Sequence, residues 1–333
     1  AARFNTAEHQ VVDHYTYVIC GDGDLMEGVS HEAASLAGHL GLGRLICIYD
    51  DNRITIEGST EITFTENVAE RFSAMGWHTR EVVDGNDLDA IEAAINAARA
   101  ETGRPSLILL RTHIAFGSPG KQGSADAHGA PLGKEEVCRT KKNLGCPEDL
   151  EFCVPEATGE IRERCLAQGR AAEKGWNAIF RDWESSHADL AKEWKTAMEG
   201  GLAAGWDQGL PEFAEGELLA TRAASGKALN AFARRVPELI GGSADLAPSN
   251  KTIIDGAEDF QKANYGGRNI RFGVREHAMG AILNGMALHR GVRPYGGTFL
   301  VFADYMRPAI RLAALMKLRS EERRVGKECA TGC

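Results

Sequence analysis

Two short apolar runs, each ending in small or acidic residues and separated by one helical stripe, constrain this chain more than any other feature. Tyr15–Cys20 is rich in β-formers and stops at Gly21-Asp22-Gly23; Leu45–Tyr49 stops at Asp50-Asp51-Asn52. Between them Val29, Ala33, Leu36, Ala37 and Leu40 recur at i, i+4, i+7, i+8 and i+11, one face of a helix. A strand–helix–strand unit of this size lays its strands parallel, so both carboxyl ends open on one edge of the sheet, where open α/β sheets hold ligands. Asp22 and Asn52 are thereby expected to meet in space.

The pattern continues in the same grammar. Leu88, Ile91, Ile95 and Ala98 mark another helix face before Gly103 and Pro105, and Leu107–Leu110 is a further unbroken apolar run. Unbroken rather than alternating runs suit a parallel sheet covered on both faces. Residues 117–155 read as irregular, 157–200 as helical, and 200–211 as a surface crossing. A second α/β pattern follows, with a helix near 214–235, strands near 238–240 and 269–272, a helix near 276–290 and an aromatic-rich segment at 295–305. The expected fold class is α/β, with two mostly parallel sheets flanked by helices. The expected domains are 1–185 and 213–318, joined by a linker at 186–212. Residues 319–333 (RSEERRVGKECATGC) lack this periodicity and read as a non-native tail resembling a translated sequencing adapter.

Composition narrows the function classes. With 43% apolar and 26% charged residues the chain is neither disordered nor fibrous. No stretch approaches the roughly 18–20 apolar residues of a membrane span. A net charge of −9 without a long basic run argues against holding a nucleic-acid backbone. None of the eight cysteines forms a C-x-x-C pair, so neither a zinc ribbon nor a redox dithiol is signalled. Idle thiols in a reducing compartment and the lack of a basic–apolar leader pattern make the cytoplasm the expected location. The opening Ala1-Ala2-Arg3-Phe4 reads as cut from a longer chain.

The chemistry lies in the juxtaposition at the sheet edge. A carboxylate (Asp22), an amide oxygen (Asn52) and a nearby carbonyl such as that of Ile54 form a set of hard oxygen ligands suited to Mg²⁺ or Ca²⁺. With one formal protein charge in the set, an anionic ligand must complete it, and Gly21 and Gly23 allow the backbone close to such a ligand. A dinucleotide fingerprint fails at Met26, a P-loop lacks its Gly-Lys-Ser/Thr, and an EF-hand fails at Met26 and Glu27. The plainer reading is a tight turn that merely needs glycine; Asn52 tips the balance toward a metal–diphosphate site.

The run GDGDLMEGVSHEAASLAGHLGLGRLICIYDDNRITIEG at 21–58 resembles the transketolases, thiamine diphosphate enzymes. The likeness recurs at 117–133, 241–250, 272–288 and 295–315 in family order, covering nearly all of 1–318. It implies that Asp22, Asn52 and the Ile54 carbonyl hold Mg²⁺ (or Ca²⁺) on the cofactor diphosphate, with Gly23 touching the diphosphate through its backbone. Glu276 matches the glutamate that hydrogen-bonds the aminopyrimidine ring, the key acid/base step. Phe299, Phe302 and Tyr305 match the aromatic pocket around that ring, although spacing by three is also ordinary helix packing. His128 matches a catalytic histidine near cofactor and substrate, while Arg222 and Ser249 match binders of the sugar phosphate. Glu27 and Glu32 match acidic residues that connect with the glutamate of a second subunit, so the resemblance implies a homodimer with the cofactor at its interface. His31 and His39 read as structural.

The implied reaction is transfer of a two-carbon ketol unit from a ketose phosphate to an aldose phosphate, in the pentose phosphate pathway or a carbon-fixation cycle. A related enzyme remains an alternative: a formaldehyde-using transketolase, a phosphoketolase or a deoxyxylulose phosphate synthase. A non-catalytic, cofactor-binding fragment is the other, because family regions before residue 1 and after Leu318 are missing.

Overall fold

The computed structural model describes residues 1–318, so the tail at 319–333 lies outside the described residues. The chain divides into two compact units, Asp13–Ala178 and a discontinuous unit that joins Ala1–Val12 to the residues from Ile179 onward.

In the first unit β1 (Thr16–Gly21) leads through α1 (Asp22–Met26) and α2 (Gly28–Leu40) into β2 (Leu45–Asp51). A small hairpin of β3 (Ile54–Thr55) and β4 (Gly58–Ser59) precedes α3 (Val68–Ala74), β5 (His78–Val82), α4 (Leu88–Ala100) and β6 (Ser106–Arg111). The sheet runs β1-β2-β6-β5 and all its pairs are parallel. The chain therefore steps one way from β1 to β5 and back once to β6. Right-handed crossovers then put α2 and α3 on one face and α4 on the other. The two cores follow that division. Leu25, Ala34, Ala37, Val68, Phe72 and Trp77 pack on Tyr49 and Leu107; Val82, Ala94 and Ala98 gather with Ile46 and Ile108. Neighbours Leu107 and Ile108 thus face opposite cores, which is why β6 reads as an unbroken apolar run. Asn67 and Asp87 cap α3 and α4 by accepting from the Glu70 and Ala90 amides at 3.1 and 2.9 Å.

The segment expected to be irregular contains a helix, α5 (Lys134–Asn143). Its sequence KEEVCRTKKN has no apolar stripe and none of its residues is buried, so periodicity gave no sign of it. What favours it is acid at its start, Glu135 and Glu136, and base at its end, Lys141 and Lys142. Sequence reading also passed over α3, β5 and the β3–β4 hairpin, all too short to develop a period.

Helices α6 (Ala157–Ser186) and α7 (Ala188–Glu199) follow, with α6 passing from one unit into the other. In the second unit Phe4 and Val11 pack on Trp183 and Ala191, and Arg3 donates to Glu193 at 2.7 Å. Next come α8 (Thr221–Ala233), β7 (Leu239–Ser243), α9 (Ala247–Asn250), β8 (Asn269–Arg271), α10 (Glu276–His289), β9 (Arg293–Gly297) and α11 (Arg307–Leu315). A parallel three-stranded sheet runs β8-β7-β9. A methyl group on Gly242 of the central strand would stand 1.9 Å from the Ile270 carbonyl oxygen, so no larger residue fits there without moving β8. No helix among the described residues is long and apolar enough to cross a membrane. The six described cysteines are free, and burial pushes the Cys20 thiol up to about 11 and Cys47 up to about 12, so both stay protonated near neutrality.

Leu107→Ala should cost about 2–5 kcal/mol, because it opens a cavity at a fully buried position between sheet and helices. Gly242→Ala should cost about 1–3 kcal/mol through overpacking. Urea unfolding followed by circular dichroism measures both, and a midpoint equal to the parent's in either variant contradicts the packing described here.

Candidate functional site

Parallel pairing sets Gly21 opposite Asp50, so the chain leaves β1 and β2 at the same carboxyl edge. Asp22 opens α1 immediately beyond that edge and is only 4% exposed, with Leu25 one turn on anchoring the short helix in the core. The Tyr49 hydroxyl donates to Asp22 Oδ1 at 2.6 Å, while Oδ2 is buried with no hydrogen-bond partner. Burial is the main cause that raises the Asp22 pKa above the usual carboxylate range; the Tyr49 hydroxyl and, more weakly, the Arg53 backbone amide oppose it, and Asp51 and Asp50 add to the rise. Those two neighbours are themselves engaged. Thr112 donates to Asp50, and Asp51 pairs with Arg111 at 3.6 Å and Arg53 at 3.7 Å. Among the described residues Asp22 has no cationic partner.

Asn52 follows β2 directly, and its Oδ1 accepts from the Ile54 amide at 2.9 Å. Arg53 between them is in the left-handed region at φ 59°, folding the chain back so that Asn52 and Ile54 stay together at the sheet edge. A methyl group on Gly23 would meet nothing of the chain within 4 Å. Packing thus does not require a glycine there, whereas close approach of a ligand would.

The orphaned Asp22 oxygen, the Asn52 amide oxygen and the backbone turn at the same sheet edge are a donor set of the kind that fits a hard divalent cation. A cation beside Asp22 would supply the partner that Oδ2 lacks and offset the burial of its charge. Glu27 precedes α2 with an exposed side chain, and Glu32 is half-buried on that helix. His31 holds Arg71 at 2.9 Å, in keeping with a structural role. His128 ends the 3-10 turn Ala125–Ala127; it is exposed and its ring makes no hydrogen bond among the described residues.

The second unit carries its own cluster. Glu276 is the first residue of α10, where the helix dipole favours an acid, and it is only 7% exposed. Thr298 donates to its Oε1 at 3.1 Å. The next residue, Phe299, begins an aromatic row: its ring stacks on Phe302 at 5.9 Å and 23°, and Phe302 lies 6.3 Å from Tyr305. The element beneath is a 3-10 helix, Leu300–Met306, not an α-helix. With three residues per turn, positions three apart eclipse, and the rings line one side instead of drifting around the helix, the first two stacked and Tyr305 tilted at 39°. Tyr305 remains 66% exposed, more than a purely core-packing stripe would leave it. Arg222, at the start of α8, and Ser249, in α9, are exposed with no side-chain hydrogen bond or ion pair among the described residues.

Sequence reading missed Tyr49 and Thr298, the two hydroxyls that hold the buried carboxyls. Tyr49 was visible as the aromatic hydroxyl that closes LICIY, directly before the acidic edge at Asp50. Thr298 had no local signal, since it lies 22 positions from Glu276.

The chain's similarities agree with this geometry. Residues 1–203 match the family model "Transketolase, thiamine diphosphate binding domain", and residues 217–321 match "Transketolase, pyrimidine binding domain". A transketolase of Halalkalibacterium halodurans is 53% identical over 318 residues, covering 96% of this chain and 48% of that protein. The chloroplastic transketolase of Zea mays is 53% identical over 318 residues, covering 95% of this chain and 47% of its own length. The crystal structure of Pichia stipitis transketolase in complex with sedoheptulose 7-phosphate superposes with a TM-score of 0.92 at 44% identity, over 96% of this chain and 48% of that one. The chain thus spans about half the length of the curated relatives it matches. On sequence and on fold alike, this chain belongs to the transketolase family.

Proposed function

We propose that this chain carries the cofactor-binding residues of a transketolase, which moves a two-carbon ketol unit from a ketose phosphate to an aldose phosphate. The observation that carries this reading is the orphaned Asp22 Oδ2, buried at the carboxyl edge of a parallel sheet beside the unobstructed Gly23. When bound, thiamine diphosphate supplies the nucleophilic carbon that lets a ketose carbon–carbon bond break.

This chain's residues do the rest. Asp22, Asn52 and the Ile54 carbonyl hold Mg²⁺ against the diphosphate, and Tyr49 keeps the Asp22 carboxylate in one orientation through Oδ1. Glu276 hydrogen-bonds the aminopyrimidine ring, with Thr298 fixing its Oε1. Phe299, Phe302 and Tyr305 pack around that ring and exclude water, which strengthens the Glu276 hydrogen bond. His128 serves cofactor and substrate as a proton-bearing group, and Arg222 and Ser249 take the sugar phosphate. Their side chains are exposed and unengaged, as groups awaiting a ligand would be. The working assembly in this proposal is a cytoplasmic homodimer in which Glu27 and Glu32 serve the partner's glutamate, a part that rests on the family resemblance.

Asp22→Asn separates these roles from mere folding. Its raised pKa means that the native state holds a proton more readily than the unfolded chain. The buried charge therefore lowers stability fully above the native pKa, and stability returns as pH falls through the native pKa toward the lower, unfolded one. The amide variant should melt no lower than the parent without ligands, yet lose the Mg²⁺-dependent rise in melting temperature on adding thiamine diphosphate. An equal rise in both proteins contradicts the metal assignment. In the parent, that rise should fade with acidification at a higher pH than an ordinary carboxylate would give.

Tyr49→Phe should weaken Mg²⁺-dependent cofactor binding by about 10–100-fold in calorimetry, the usual cost of losing a group that orients a ligand. Glu276→Gln should still bind the cofactor, while deuterium exchange at its thiazolium carbon, followed by NMR, slows by about 10²–10⁴-fold. An unchanged exchange rate removes Glu276 from the acid/base role.

A further inference from the structure

The fold assembles a second group of metal-type ligands that the proposed chemistry does not use. Ligand atoms of Glu8, His9 and His187 all lie within 4.8 Å of one another. We propose that these three side chains bind one divalent cation of the zinc type, tying the segment before β1 to the corner between α6 and α7.

The donor chemistry selects the ion. Two imidazoles and a carboxylate suit zinc, whereas magnesium and calcium take oxygen ligands. Donors around a tetrahedral zinc stand about 3.3–3.5 Å apart, given bonds of about 2.0–2.2 Å. Small side-chain rotations therefore close the site, and the exposed Glu8 carboxylate is placed to make the largest one.

The two rings are set for it. His187 Nε2 is buried and has no hydrogen-bond partner, an unsatisfied group that a cation would pair. His9 is buried, and its Nε2 lies 2.9 Å from Asp182 Oδ2, the carboxylate–imidazole contact that orients metal-binding histidines; its Nδ1 makes only a long 3.4 Å contact with Thr6 Oγ1, which the cation would replace. The backbone around His9 is fixed as well. Its amide donates to Thr6 Oγ1 at 3.1 Å while its carbonyl accepts from the Thr6 amide at 2.9 Å. His187 sits between two helices above the fully buried Trp183, its amide donating to the Trp183 carbonyl at 2.8 Å. Ligands held by separate, rigid pieces of one unit lose little freedom on binding. A bound ion would therefore stabilise the packing of Ala1–Val12 on the rest of its unit.

The test titrates zinc into the full chain, exposed thiols alkylated and excess Mg²⁺ present, by calorimetry, with X-ray absorption on the loaded protein. The expected result is one zinc per chain, a nitrogen/oxygen shell with an imidazole signature, and an affinity lowered at least about tenfold by His187→Ala and by Glu8→Gln. Asp22→Asn should bind zinc as the parent does, which keeps this site separate from the proposed cofactor metal. Glu8 is exposed, so Glu8→Gln remains informative if His187→Ala does not fold. Absence of zinc binding, equal affinity in Glu8→Gln, or loss confined to Asp22→Asn overturns the proposal and leaves His9–Asp182 as a structural pair.

Discussion

A carboxylate held out of water without a positive partner is the constraint on which the rest of the first unit depends. Taking such a charge from solvent costs several kcal/mol after relaxation (of the order set by ion desolvation), unless a cation or enough donors meet it. Tyr49 meets one oxygen of Asp22 and leaves the other unmet. The chain maintains this arrangement because Asp22 begins a helix fastened by Leu25, at the end of a strand paired over its whole length with β2. The sheet is what allows an unfavourable electrostatic position to persist, and a ligand cation is what would make it favourable.

The second unit solves a different problem by similar means. A buried Glu276 is steadied by a helix N-terminus and one threonine hydroxyl, and a tight 3-10 turn lines up three aromatic rings just beyond that threonine. The glycine pair in β7 lets three strands lie close, and β9 delivers Thr298 and Phe299 immediately after its end. In both units the buried carboxyl belongs to the first residue of a helix, and a hydroxyl on or just beyond a strand fixes it. Such a hydroxyl orients the carboxylate without adding a formal charge.

Ile46, Leu107 and Ile108 announced a sheet covered on both faces because their neighbours in sequence are also apolar. Asp22 and Asn52 could be brought together on paper because a parallel crossover leaves only one edge for both. Helix α5 was not legible: it buries none of its residues, and a helix without an apolar face leaves no period. The aromatic triplet was legible as a set but not as a 3-10 turn, since spacing by three fits both helix types.

The sequence by itself determined the α/β class, the parallel pairing of β1 with β2 and the family, and it set Asp22 and Asn52 at one sheet edge, because these follow from local periodicity and short motifs. Only the tertiary structure decided which oxygen of Asp22 lacks a partner, that Tyr49 and Thr298 hold the two carboxyls, and that Glu8, His9 and His187 come together. Those relations join side chains tens to nearly two hundred positions apart, and their distances depend on how helices and strands pack. No local pattern of residues encodes that packing.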